Sequence, residues 1–167
     1  LRRTVLELLG IVGRRLERAM NSTSLLRKAL SAGPSDNAVL EPLLEIADSS
    51  MTYRRRYFAR PQLSPVLDLL LLDDSNTRAV AFQLAAVSEH IRHLPRDPKA
   101  PSPTREERLI DQAVATLRQV DPHTVYRDGE ASAREVTALL HSVEVDLRAL
   151  SETITYFYFS HAELRVS

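Results

Sequence analysis

Three consecutive arginines, Arg54, Arg55 and Arg56, lie in the segment Ala47-Asp48-Ser49-Ser50-Met51-Thr52-Tyr53-Arg54-Arg55-Arg56-Tyr57, which its flanks mark as helical. Successive helical residues point about 100° apart, so three adjacent guanidinium groups cannot share one solvent face, and at least one is expected at or near the buried side. A buried guanidinium needs a carboxylate, because an unpaired buried charge is very costly. A second polar cluster runs along the first helix, where Arg14, Glu17, Arg18 and Asn21 form a stripe beside the apolar one. Arg14 and Arg18 repel by a few tenths of a kcal/mol at this spacing. Glu17 can bridge Arg14, and the cluster as a whole asks for acceptors from another helix. One reading is a charged pocket completed by Asp48, Asp68 or Asp73, with Arg18 and one of Arg54 to Arg56 paired in a mostly buried network. The competing reading is a solvated helix face with local pairs, worth little energetically.

Other candidate chemistry is sparse. His90 and His93 stand three apart with Glu89 beside them, but without a matched carboxylate pair they do not define a metal site. Histidines at a helix C-terminus also simply complement its dipole. No metal or cofactor is therefore assigned. His161 follows Phe159-Ser160, and adjacency in sequence does not make Ser and His a catalytic pair. The chain has no glycine-rich phosphate loop, nucleophile elbow or zinc-protease motif. Tyr53, Tyr57, Tyr156 and Tyr158 read as core and hydrogen-bonding anchors.

The elements that must position these groups are helices throughout. Val5, Leu9, Val12, Leu16, Met20, Thr23, Leu26 and Leu30 recur at helical spacing up to Gly33-Pro34 and predict one long first helix. Gly10 and Gly13 weaken it by about 1 kcal/mol each, for which close approach of a neighbouring helix is the expected return. A second helix is expected from Val39–Glu41 to about Tyr57. A third, Pro65 to Leu72, opens on a Ser64-Pro65 cap and is apolar nearly all round, which makes its Asp68 an expected arginine partner. Asp73 and Asp74 should help start the fourth helix, capped by Ser75 or Asn76 and lined by Val80, Leu84, Val87, Ile91 and Leu94. Residues 95–103 hold four prolines and predict an extended linker. Thr104-Arg105-Glu106-Glu107 is a capping box opening a fifth helix, and Ser132-Ala133-Arg134-Glu135 a second one opening a long last helix through Phe157. Asp128-Gly129 marks a turn between them. The expected architecture is an all-α bundle of about six helices, a single domain over 1–167, its long first and last helices side by side.

Composition sets further bounds. The 167 residues suit one domain with a real core. Acids and bases balance at 22 each, without the electrostatic footprint of a general nucleic-acid binder. Lys28 and Lys99 are the two lysines; arginine suits bidentate carboxylate pairing better than lysine does, and codon bias in a GC-rich genome accounts for the same excess equally well. With no cysteine there are no disulfides or thiolate-metal sites. No apolar run approaches the roughly 20 residues of a membrane span, no signal-peptide pattern opens the chain, and a cytoplasmic location is the default expectation.

Several segments together resemble the Alpha-E family, a bacterial α-helical domain named for a Glu-Arg dipeptide. They are Gly13-Arg14-Arg15-Leu16-Glu17-Arg18-Ala19, the Ala47–Tyr57 segment, Pro65-Val66-Leu67-Asp68-Leu69-Leu70-Leu71-Leu72-Asp73, Ser75-Asn76, Arg78, Ala81-Phe82-Gln83-Leu84 and Tyr158-Phe159-Ser160-His161. The chain departs from the family pattern at Thr77, where proline is common, and at Tyr156-Phe157, where an arginine pair is. The resemblance implies the C-terminal half of a longer chain. It also implies company: an ATP-grasp ligase and a transglutaminase-like protein, in systems that make and process peptide or amide bonds. It brings no catalytic residues. The positions matching its motifs are Glu17, Arg18, Asp48, Ser49, Tyr53, Arg54, Tyr57, Asp68, Asp73, Asn76, Arg78, Ser160 and His161. Three functions stand in order: a non-catalytic binding or accessory module, a purely structural bundle, and an enzyme using Glu17, Asp48, Tyr53 and His161.

Overall fold

Residue spacing dictates the core. On α1 (Arg2–Ser31) the buried positions are Leu9, Val12, Leu16, Ala19, Thr23, Leu26 and Leu30, at alternating intervals of three and four. The same alternation recurs on α5 (Val80–Arg92), α6 (Arg105–Leu117) and α7 (Glu130–Ile154), whose seam is Ala133, Val136, Leu140, Val143, Leu147, Leu150 and Ile154. A seam of this period lets helices lie side by side with knobs in holes. The computed structural model, which describes residues 2–33, 37–124 and 130–159, closes these four helices into a ring: α1 packs on α5, α5 on α6, α6 on α7 and α7 on α1. All regular structure among the described residues is helical, as the sequence predicts.

Ion pairs report the helix directions. Arg92 meets Asp111 and Arg96 meets Glu107, so α5 and α6 run antiparallel. Arg27 near the end of α1 holds both oxygens of Glu144 on α7, at 3.1 and 3.2 Å. The end of α1 lies by the start of α7, where Leu30 and Ser31 share a surface cleft with Glu130 and Ala133. These two helices are antiparallel as well. The Thr104 capping box forms as expected: Glu107 N–H donates to Thr104 Oγ1 at 3.3 Å and Thr104 N–H to Glu107 Oε2 at 2.9 Å.

Between α1 and α5 the chain inserts a smaller layer: α2 (Leu40–Ile46), α3 (Ser50–Tyr57) and α4 (Leu63–Leu67), which runs on into a π turn over Asp68–Leu72. Several expectations are corrected here. The second helix is two, because the backbone breaks at Ala47–Ser49 with Asp48 at φ 51°. All three arginines of α3 are exposed, since this eight-residue helix buries only Tyr53 and leaves a wide arc to solvent. Asp68 accepts a hydrogen bond from the Tyr57 hydroxyl at 3.3 Å rather than pairing with an arginine. The third helix opens at Leu63, two residues before Pro65. Neither Ser75 nor Asn76 caps α5, which begins at Val80. Instead, buried Asn76 donates to the Leu69 carbonyl of the π turn at 2.9 Å and accepts from Arg78 N–H at 3.1 Å.

The remaining differences are smaller. A side chain at Gly13 would meet nothing within 4 Å, and one at Gly10 only Arg14 of the same helix, so neither glycine serves helix approach. Ser132 lies within α7 rather than at its cap. Beyond Ile154 the last helix widens into a π turn over Thr155–Phe159. Residues 95–103 run irregular and exposed. The expected turn at Asp128-Gly129 lies outside the described residues.

One strut ties α3 to the segment leading into α5. Arg56 bonds Asp73, and Asp73 Oδ1 accepts from Ser75 Oγ at 2.6 Å and Ser75 N–H at 3.0 Å. Burial pushes the Asp73 carboxyl upward, but the bonds from Ser75 and Arg56 outweigh it and hold the group below its ordinary value. A depressed folded-state pKa stabilises the fold above the unfolded value and loses that contribution as pH falls through the folded one. Asp73→Asn is therefore expected to cost about 1–2 kcal/mol at pH 7, discounted for the exposure of Arg56. That deficit should shrink below about pH 4. Equal denaturant midpoints for parent and variant at pH 7 would remove the strut from the account.

Asp146 on α7 presents the opposite case. It is 8% exposed, and its Oδ2 is buried without a hydrogen-bond partner among the described residues. Burial raises its carboxyl pKa. A raised folded-state pKa adds no cost below the unfolded value near 3.9; the cost grows as pH rises from there to the folded value and is constant above it. Asp146→Asn should stabilise the fold at pH 7 by about 1 kcal/mol and gain nothing below about pH 4. Thermal melts at the two pH values test this, and an unchanged or lowered melting temperature at pH 7 counts against it.

Candidate functional site

The site begins with the α1 residues that flank its seam. Ala19, Thr23 and Leu26 face the core, so Arg18, Asn21 and Ser22 stand on the shoulder of the helix, at spacings that bring them onto one side. Opposite them lies the break between α2 and α3. There the chain leaves helical geometry: Ser49 N–H reaches back to the Leu44 carbonyl at 2.8 Å and the Ser49 hydroxyl to the Ala47 carbonyl at 3.1 Å. Aspartate tolerates the left-handed conformation that this turn imposes at position 48 better than most residues do. The turn buries Ser49 and swings the Asp48 side chain out, 75% exposed, against Arg78 at 2.5 Å.

Arg78 is aimed by Asn76, whose buried amide ties the backbone at 78 to the π turn. Between the two walls lies a groove of about 300 Å³. Leu25, Leu26, Leu43 and Leu70 make its floor, and Arg18, Asp48 and Arg78 its charged rim. Gln83 reaches it from α5, held by a bond from Arg15 at 3.1 Å and by its own donation to the Thr77 carbonyl at 2.6 Å. Arg15 also lies over the Phe82 ring, 5.8 Å from its centre.

The structure thus brings Arg18, Asp48 and Arg78 together and disperses the other candidates. Glu17 is exposed beside Arg18 and does not line the groove. Among the described residues Glu17 and Arg18 form no ion pair, so the expected bond from Arg18 to Asp48, Asp68 or Asp73 is not made, because Arg78 occupies Asp48 and Arg56 occupies Asp73. Tyr57 and Asp68 bond each other at the π turn, and burial followed by the nearby Asp68 carboxylate raises the phenol pKa. Tyr53 is buried; its hydroxyl donates to the Arg60 carbonyl at 3.3 Å and accepts from Gln62 N–H at 3.1 Å. With Arg54 it borders a separate cavity of about 350 Å³. Ser160 and His161 lie outside the described residues. Ser22 and Gln83 are groove residues that sequence reasoning missed. The signal for Gln83 was a polar residue beside Leu84 on the buried face of α5. Among the described residues no group of three or more histidines and carboxylates could hold a metal, and no helix is long and apolar enough to cross a membrane.

Two guanidinium groups against one carboxylate leave the rim with a positive surplus. The Arg78–Asp48 pair is exposed on both sides, so it contributes little and opens readily to a competing ligand. The groove thus joins a charged, hydrogen-bonding rim to an apolar floor.

Comparison with known proteins agrees with the fold. An uncharacterized protein of Mycobacterium bovis and uncharacterized proteins of two Mycobacterium tuberculosis strains are each 28% identical to this chain over 148 residues. The match covers 86% of this chain and 16% of theirs, so the chain spans about a sixth of the length of these curated relatives. No solved structure gives a significant match. The model of the Alpha-E family, described as a predicted alpha-helical domain with a conserved ER motif, matches residues 2–159. Glu-Arg occurs in this chain at 17–18, where Arg18 joins the groove, and at 107–108, where Glu107 serves the capping box. With nearly its whole length matched, the chain belongs to the Alpha-E family.

Proposed function

We propose that the chain is a non-catalytic helical module that binds a ligand or partner within an ATP-grasp system making peptide or amide bonds, beside a transglutaminase-like protein in the cytoplasm. The partners come from the family resemblance. The observation that carries the binding role is the groove, whose polar rim includes Arg18, Asn21 and Ser22 without protein acceptors among the described residues. A purely structural network would pair these groups with one another. The enzymatic alternative draws on Glu17, Asp48, Tyr53 and His161. Tyr53 is committed to Arg60 and Gln62 and lines a different cavity, and Glu17 does not line the groove, which favours binding over acid-base chemistry.

The test is an ATP-turnover assay of the purified chain followed by titration with the ATP-grasp ligase. No turnover is expected, with saturable association that Arg18→Gln weakens several-fold. Turnover abolished by Glu17→Gln would replace this reading with the enzymatic one. Absence of both turnover and association would leave a structural bundle.

A further inference from the structure

The groove discriminates among ligands more sharply than a binding role requires. Its floor is aliphatic: Leu25, Leu26, Leu43 and Leu70 present branched side chains and no aromatic face for a base or ring to stack on. At about 300 Å³ it sits at the small end of ligand pockets, enough for one residue-sized group and too small for a nucleotide cofactor. At one wall Arg18 offers a guanidinium with no ion pair among the described residues, flanked by the Asn21 amide and the Ser22 hydroxyl. That donor set suits a planar, singly charged carboxylate, which arginine binds through two parallel bonds. With Arg18 and Arg78 against Asp48, the rim's single surplus positive charge matches a singly charged carboxylate better than a phosphate dianion. Asp48 is itself an acceptor, 75% exposed, placed to receive an N–H from whatever the carboxylate is attached to.

A carboxylate, an aliphatic body and a nitrogen donor in one small group describe an α-amino-acid unit. Resting on the reading that this groove binds a ligand, we infer that it holds the carboxylate end of an aliphatic residue, as a free amino acid or as the C-terminus of a peptide. Arg18, Asn21 and Ser22 receive the carboxylate, the four leucines receive the side chain, and Asp48 receives the α-nitrogen after loosening from Arg78.

The test titrates the isotopically labelled chain with leucine, N-acetyl-leucine, leucine amide and N-acetylglycine, following backbone amide shifts. Leucine or N-acetyl-leucine should shift residues of the groove, with leucine amide and N-acetylglycine at least tenfold weaker, and Arg18→Gln should cost at least tenfold in affinity. Arg18 is exposed, so this variant keeps its fold, which the unshifted remainder of the spectrum verifies. The two sources separate by affinity: leucine binding more tightly, with a loss on Asp48→Asn confined to leucine, identifies the free amino acid, and N-acetyl-leucine binding more tightly identifies the peptide end. Leucine amide binding as well as leucine, or indifference to Arg18→Gln, overturns the carboxylate assignment. A chain that binds the ligase but none of the four probes overturns this ligand class and keeps the accessory role. One that binds neither overturns both.

Discussion

The alternation of three and four residues between buried positions is the constraint on which everything else rests. It confines the apolar stripe of α1 to one side and therefore decides what can lie on the flanks. Because Ala19, Thr23 and Leu26 are claimed by the seam, Arg18, Asn21 and Ser22 must stand at its edge, where the bundle meets the inserted layer. Thr23 fits a seam position only because its hydroxyl bonds the Ala19 carbonyl at 2.7 Å and so leaves no buried donor unpaired. A wider stripe would have drawn the polar shoulder into the core. A narrower one would have exposed Leu26.

The inserted layer is too small to fold on hydrophobic contact alone, and polar side chains fix its geometry. Asn76 is the central one. It satisfies a carbonyl of the π turn on one side and the Arg78 backbone on the other, and so ties the turn to the loop that carries the rim arginine. Tyr53 does the same for the loop after α3, bonding both Arg60 and Gln62 from a fully buried ring that packs at a tilt of 37° on Tyr57, ring centres 4.8 Å apart. Buried polar groups of this kind add little net energy but are expensive to leave unmade. Their value lies in excluding alternative packings of an otherwise leucine-rich segment, Val66 to Leu72.

The bundle was legible in the sequence because periodicity over a long helix sums many weak preferences into one signal, and the Thr104-Glu107 capping box was legible because it is local. The break at Asp48 was not. Nothing in Ala47-Asp48-Ser49 forbids a helix, and the turn is imposed by where Leu43, Leu44 and Tyr53 must be buried. The same error propagated to the arginines. Within one continuous helix, three in a row must include a buried one. In a short α3 that buries only Tyr53, they need not. Asp48, Arg78 and Arg18 were each visible as candidates, but their meeting depends on the break and on Asn76. His161 illustrates the other limit, since a residue type next to a motif carries no geometry.

The fate of the arginines follows from this arrangement. Where two helices approach, the long side chain lies along the seam with its head on a carboxylate, as Arg27 does with Glu144 and Arg96 with Glu107. Those carboxylates are largely buried, at 10% side-chain exposure each, and the pairs they make are structural because removing the arginine would strand a buried carboxylate. The rim of the groove differs in kind. Arg78 and Asp48 meet in solvent, and Arg18 meets no carboxylate among the described residues. An exposed arginine costs nothing to leave unpaired, so the fold does not need these three groups where they are. Their convergence over a leucine floor is then a property the architecture permits but does not require.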